Sequence, residues 1–256
     1  MGGRQRVKKK HWFEEIAEHL GPTYLRYSFT YGTTQEVDTL MSVLALDPGD
    51  SLLDVGCGPG RHAHEFASRG INVTGLDISE DFIHLANLKA SENASFVCGD
   101  ARDMPYMEEF DAVISLCQGA FGLAGGPTLQ NSKGDPDGAI LSCMSRALKP
   151  GKKLALSAFS SYFQIRYLNE NTTFNAETGI NHETTFVKNE EGESMETELW
   201  TSCFTPRELR LLAANAGLEV EEIWSVDPGD YTKRVPDLEH AEYLLIAHRP
   251  NNGEKK

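Results

Sequence analysis

Residues 52–62 read Leu-Leu-Asp-Val-Gly-Cys-Gly-Pro-Gly-Arg-His, an apolar run that ends in an acid and then three glycines separated by single residues. A short continuous apolar run is a strand covered on both faces. Glycines placed directly after it let the backbone bend tightly and let a ligand approach closely, because they carry no β-carbon. Strand, glycine turn and helix in that order open an α/β sheet that binds a nucleotide-like ligand at the turn. The turn alone does not say which ligand.

The chain downstream keeps the rhythm. Strands are expected at 51–55, 71–77, 95–100, 110–116 and 153–159, with helices at 61–69, after Ser79, and from the Asp135-Pro136 cap to Leu148. Such alternation means βαβ units with right-handed crossovers and a parallel sheet. Ahead of it, helices at 11–20 and 34–46 flank an aromatic connector from Tyr24 to Tyr31, which reads equally as core packing or as a lid over a ligand. The rhythm breaks over 160–204, where a short helix near 162–168 precedes two β-like runs, His182–Val187 and Met195–Phe204, read as an inserted antiparallel hairpin. Thr205-Pro206-Arg207-Glu208 is a capping box for a helix to Ala216, and strands at 220–226 and 242–248 close the chain. The two Asp-Pro-Gly-Asp sequences, at 47 and 227, read as turns and nothing more. The expected organisation is a basic flexible tail (1–10), one domain (11–249) with N-terminal helices at 11–46 and a capping insert at 160–204, and a C-terminal tail (250–256).

Composition removes several classes of partner. A net charge of -14 in 256 residues disfavours nucleic acid, whose affinity rests on clustered Lys and Arg, and tolerates a cationic ligand. Five widely spaced cysteines without a C-x-x-C pair fit reduced thiols in the cytoplasm, and neither a disulfide framework nor a metal site. No apolar run approaches the ~20 residues that span a bilayer, so no membrane partner is expected.

In an open parallel sheet, ligands sit outside the carboxyl ends of the strands. Asp54, Asp77, Asp100 and the loop after Leu116 fall there in this register. An acid about twenty residues beyond the glycines accepts hydrogen bonds from ribose hydroxyls, which suits a dinucleotide and a nucleoside sulfonium alike. Three features favour the second. The turn is Gly56-x-Gly58-x-Gly60 and not G-x-G-x-x-G; Asp54 brings negative charge where a pyrophosphate needs donors; and Asp100 can accept from an adenine amino group.

These residues carry a family resemblance. Leu53 to Gly60 resembles the first motif of class I S-adenosylmethionine (SAM)-dependent methyltransferases at every motif position. Thr74 to Ser79 resembles their second strand end, and Gly99-Asp100-Ala101 their adenine-side motif. Leu148-Lys149-Pro150-Gly151 resembles the turn before strand five, with Lys152 replacing a frequent glycine, and 204–218 the helix before strand six. The resemblance implies a doubly wound, seven-stranded, mostly parallel sheet with the last strand antiparallel. It implies that Gly56, Cys57 and Gly58 approach the methionine portion with Asp54 supporting the loop. Asp77 would hold the ribose, Ile78 pack on adenine, Asp100 and Ala101 bind its amino edge, and Leu116 present its carbonyl to the methionyl ammonium. Methyl transfer is an in-line displacement that needs alignment above all; a neutral amine acceptor needs no base in that step, whereas a hydroxyl usually does. Candidates for such a base are Tyr31, Tyr162 and His182. After strand four the chain reads Ser115-Leu116-Cys117-Gln118-Gly119, without the Asn-Pro-Pro-Tyr type motif of nucleic-acid members. A small-molecule acceptor with an N or O nucleophile is therefore expected. A nicotinamide-dependent (NAD) oxidoreductase and a non-catalytic SAM-binding protein are the readings from other classes.

Overall fold

The computed structural model describes residues 11–123, 125–127 and 134–251; the expected tails, 1–10 and most of 250–256, lie outside them. Seven strands form the main sheet: β1 (Ser51–Val55), β2 (Asn72–Asp77), β3 (Ala94–Cys98), β4 (Phe110–Ser115), β5 (Leu148–Ser160), β9 (Glu219–Val226) and β10 (Glu242–His248). Their order is β3-β2-β1-β4-β5-β10-β9, with β10 antiparallel to both neighbours and the rest parallel. The expected doubly wound sheet with an antiparallel last strand is present.

Alternation along the strands separates two cores. Leu53, Val55, Leu154, Leu156 and Leu245 face α5 (Pro136–Ala147) and α7 (Pro206–Asn215). Leu52, Val73, Ala155, Leu244 and Ile246 face α2 (Thr33–Val43) and α3 (Arg61–Ser68). With both faces covered, the strands read as continuous apolar runs. Local signals set the helix ends: Asp135 caps α5 by accepting from Asp137 N–H at 3.1 Å, and Thr205 and Glu208 form the reciprocal capping box of α7. In the Lys-Pro-Gly-Lys turn within β5, Lys149 and Lys152 both clamp Asp111, at 2.9 and 3.2 Å.

The insert departs from the expected hairpin. It is a three-stranded antiparallel sheet of β6 (Thr172–Asn175), β7 (Ile180–Lys188) and β8 (Ser194–Phe204), preceded by the short α6 (Ser161–Arg166). The end of β8 pairs parallel to β5, Phe159 with Cys203 and Ser160 with Phe204, so the insert continues the main sheet instead of standing apart. Helix α1 (Trp12–Leu20) and two 3-10 turns, Gly21–Arg26 and Ser28–Thr30, lie against it, with Ile16, Leu20 and Val187 forming a third apolar cluster.

One buried carboxylate ties these parts. Glu36 on α2 is wholly buried; its Oε2 accepts from Arg61 Nη1 at 2.6 Å and lies 2.7 Å from His62 Nε2, and its Oε1 accepts from Gly229 N–H at 2.8 Å. The turn at 227–230 is thus a docking element, contrary to its reading as a turn alone. A β-carbon on Gly32 would lie 1.9 Å from Gly229 Cα, so only glycine admits this approach. The donors from Arg61 and His62 hold Glu36 ionised down to about 2 against its burial. Removing one partner of a buried pair leaves an uncompensated charge, here Arg61, whose side chain is 8% exposed. Glu36→Ala is expected to cost about 3–5 kcal/mol, a fall in melting temperature on the order of 10 °C. A shift in urea midpoint worth less than 1 kcal/mol at unchanged slope would refute that weight for the pair.

Candidate functional site

The glycine turn is fixed by the strand beside it. Gly56 and Cys57 N–H both donate to Leu76 O, at 2.7 and 3.1 Å. Gly56 also meets the loop after β4: a β-carbon there would lie 2.1 Å from the carbonyl carbon of Gly119, and one on Gly119 would lie 2.0 Å from Gly56 O. Two backbones therefore touch where no side chain fits. In the same loop Cys117 and Gln118 both take left-handed conformations, φ 50° each, which non-glycine residues adopt only when held. Cys117 N–H donates to Ser157 Oγ at 2.7 Å, and its Sγ lies 2.8 Å from Arg61 Nη2.

The strand-end acids sit around this turn. Asp77 Oδ2 accepts from Gly58 N–H at 2.8 Å and Oδ1 from Ser79 N–H at 2.9 Å. Burial pushes its carboxyl up to about 6, with these amides opposing the rise. Asp54 is pushed up to about 7 by burial, with Arg61 opposing and Asp77 adding. Its Oδ2 has no hydrogen-bond partner among the described residues.

From the turn a crevice runs in two directions. The inner part, about 40 Å³, is lined by Gly56, Asp77, Ile78, Asp100 and Ala101, together with His11, Phe13 and Arg102. Asp100 is engaged by its neighbour: Arg102 Nη2 and Nε donate to its two oxygens at 2.6 and 2.9 Å, and Arg102 N–H to Oδ1 at 2.9 Å. His11 caps α1 by accepting from Phe13 N–H at 3.3 Å. Burial first, and the nearby Arg102 guanidinium second, drive its imidazole down to about 4, so it is neutral at neutral pH. The outer part is a chamber of about 360 Å³ that shares Gly56, Asp77 and Gly119 with the inner one. Phe13, Tyr24 and Tyr27 line it from the N-terminal segment, Glu183 and Leu199 from the insert, and Glu242 from the start of β10.

Six of the sequence-derived cofactor residues thus share one crevice: Gly56, Gly58, Asp77, Ile78, Asp100 and Ala101. Asp54, Cys57 and Leu116 stand behind it. Cys57 is buried with its Sγ turned towards Gly75, and Leu116 O accepts from Gly119 N–H at 3.0 Å. The three catalytic candidates line neither cavity. Tyr31 is 76% exposed and donates to Arg26 O; Tyr162 is 44% exposed on α6. His182 stacks on Trp200 at 4.9 Å, with Nε2 3.3 Å from Glu198. The connector residues Tyr24 and Tyr27 line the chamber instead: Tyr24 packs on Phe82 at 4.9 Å, and Lys188 N–H donates to Tyr27 Oη at 3.4 Å. Glu242 was missed, although an acid opening the otherwise apolar run Tyr-Leu-Leu-Ile-Ala was a visible signal. Because β10 is antiparallel, its first residue reaches the edge where the parallel strands end.

Comparisons with known proteins agree with this geometry. A family model described as a methyltransferase domain matches residues 46–209. The 27-O-demethylrifamycin SV methyltransferase of Amycolatopsis mediterranei is 33% identical over 135 residues, 50% of this chain and 45% of that protein. A ubiquinone biosynthesis O-methyltransferase of Xanthomonas axonopodis pv. citri is 26% identical over 212 residues, 80% of this chain and 79% of its own. The chain therefore spans about half the length of the first of these relatives. The structure of the CcbJ methyltransferase from Streptomyces caelestis superposes with a TM-score of 0.74 at 19% identity, covering 95% of this chain and 100% of that one. The chain belongs to the methyltransferase domain family and has the Rossmann-like fold of its SAM-dependent members.

Proposed function

We propose that this protein transfers the methyl group of SAM to a nitrogen or oxygen nucleophile of a small-molecule acceptor. The observation that carries this reading is the two-part crevice that shares the glycine turn, because in-line displacement needs two reactants facing each other across one point. When bound, SAM supplies an activated methyl carbon on a good leaving group. The chain's residues then have to bind, orient and exclude water, and well-aligned reactants gain up to ~7–11 kcal/mol.

The inner part, closed down to about 40 Å³ in this structure, is lined by groups that suit a nucleoside. Asp77 keeps unused lone pairs for ribose hydroxyls, Ile78 and Ala101 offer an apolar face to adenine, and Asp100 stands at its edge with Arg102. Asp54 supports the turn from behind, and the close backbones of Gly56 and Gly119 leave the methionine portion a path bounded by main chain. The chamber lies within the ~300–1,000 Å³ range of small-molecule sites. Five cysteines, none of them in a disulfide, support a reducing compartment, the cytoplasm. Residues 11–249 act in this reading as one domain, with the insert at 160–204 as its acceptor cap.

Two measurements test the proposal. Asp77→Ala is expected to weaken SAM binding by about 10–100-fold, the worth of hydrogen bonds to a charged group; equal calorimetric affinities would show that the ribose lies elsewhere. An acceptor panel read by S-adenosylhomocysteine release is expected to give turnover with small N or O nucleophiles and none with oligonucleotides. Binding of NAD(H) in place of SAM would remove the reading altogether.

A further inference from the structure

The outer chamber has a charge pattern of one sign. Among the described residues no lysine, arginine or histidine lines it, while Asp77, Glu183 and Glu242 do, beside aromatic and aliphatic side chains. Glu242 is the most withdrawn of the three. It pairs across with Phe159 of β5 and Val226 of β9, is 2% exposed, and leaves Oε2 without a hydrogen-bond partner among the described residues. A buried carboxylate is normally matched by a cation or by several donors. Here Ser157 and Gln118 stand beside it as neutral donors, Ser157 Oγ accepting from Cys117 N–H while its O–H donates. The Arg61 guanidinium that also acts on Glu242 is committed to Glu36, Thr33 and Cys117. Among the described residues the acid has no counter-charge of its own.

Resting on the methyl-transfer reading, we propose that the acceptor is a small amine and that Glu242 is the catalytic residue that holds its ammonium group and removes its proton. The step balances. Glu242 Oε2 takes one proton from the acceptor's ammonium, and the freed nitrogen lone pair forms the new N–C bond. The C–S bond breaks with its electron pair going to sulfur, which leaves as a neutral thioether. The methylated ammonium carries the positive charge away, and the proton on Glu242 returns to solvent. Tyr24, Tyr27 and Phe159 add aromatic rings to the same walls, which suits a cation. Carboxylate and phosphate acceptors find no basic partner there and are disfavoured.

The surroundings of Glu242 let it act near neutral pH. Burial pushes it up to about 7, with hydrogen bonds from Ser157 and Gln118 opposing; a base does most when its pKa lies near the working pH. Asp77 and Glu183 line the same chamber, and four further ionisable groups act on Glu242. Glu36 from α2 raises it and Arg61 from α3 lowers it; Cys117 of the loop after β4 and Tyr231 beyond the 227–230 turn both feel its charge. Glu36 is held ionised, burial keeps Cys117 and Tyr231 protonated, and Arg61 stays charged. Of these four none changes charge near neutral pH.

Sinefungin tests this without knowing the acceptor, because it carries an amine where SAM carries its methyl sulfonium, whereas S-adenosylhomocysteine carries neither. The ratio of their dissociation constants on the full-length protein reads the field at the transfer position. In the wild type the preference for sinefungin is expected to grow as pH rises through about 7 and Glu242 loses its proton. Glu242→Gln is expected to lose about tenfold of that preference and to flatten its pH dependence to the share supplied by Asp54 and Asp77, since buried opposite charges a few ångströms apart interact at least that strongly. Its affinity for S-adenosylhomocysteine should stay unchanged, which also reports that the variant is folded. An unchanged ratio in Glu242→Gln overturns the assignment, as does methylation of hydroxyl-only or carboxylate acceptors ahead of every amine in the panel. A wild-type protein that binds neither nucleoside would instead overturn the methyl-transfer reading on which this rests.

Discussion

Glu36 is the residue on which the arrangement of both cavities depends. Its carboxylate is cut off from water, and such a group is tolerated only when donors replace the lost solvent. The donors come from separate parts of the chain: Arg61 and His62 at the start of the helix after the glycine turn, and Gly229 near the C-terminal strands. Arg61 reaches on to Cys117, in the loop that presses on Gly56. One ion pair therefore fixes α2, the turn, the loop after β4 and the 227–230 segment relative to each other. His62 sits within it as a neutral donor, because burial and the neighbouring guanidinium push its imidazole down to about 4. The same commitment decides the charge of the chamber: an arginine spent on Glu36 does not neutralise Glu242.

The molecule divides its labour along the sheet. The strand ends from β3 to β4 hold acids and open backbone, which suits a ligand with a ribose, a base and a positive centre. The far side is walled by aromatic residues from the N-terminal segment and by strands of the insert, which exclude water and leave a few polar groups to orient what enters. Neither half needs a strong nucleophile of its own. Much of the rate of a displacement comes from alignment, and alignment here is a property of rigid elements: the sheet, the paired glycines and the Glu36 cluster.

How much of this was legible in the sequence follows from the range of each interaction. The strands at 51–55, 72–77 and 110–115 announced themselves because both their faces are buried, and the caps at Asp135 and Thr205 because capping is local. The strand-end acids were found from register alone. Other features were hidden for identifiable reasons. β6 is four residues long and largely polar, too short for alternation to show. The engagement of Asp100 by Arg102 is local but depends on rotamers, which spacing does not reveal. The turn at 227–230 gained its role from Gly32 and Glu36, nearly two hundred residues away. Glu242 was lost inside a strand that read as core. Tyr31, Tyr162 and His182 had suitable chemistry, yet the fold turned two outward and set the third against Trp200.

Among the described residues, the insert pairs with the main sheet's ladder at two positions, Phe159 with Cys203 and Ser160 with Phe204. A segment hung so lightly can be lengthened, trimmed or replaced at little cost to the ladder that carries the glycine turn, since longer excursions add only slowly to closure entropy. Descendants of one cofactor-binding frame can therefore diverge in what they modify while the frame stays still. For this chain, changes of acceptor are expected in residues 160–204, in the helices facing them and around Glu242, not in the motifs that first identified the fold.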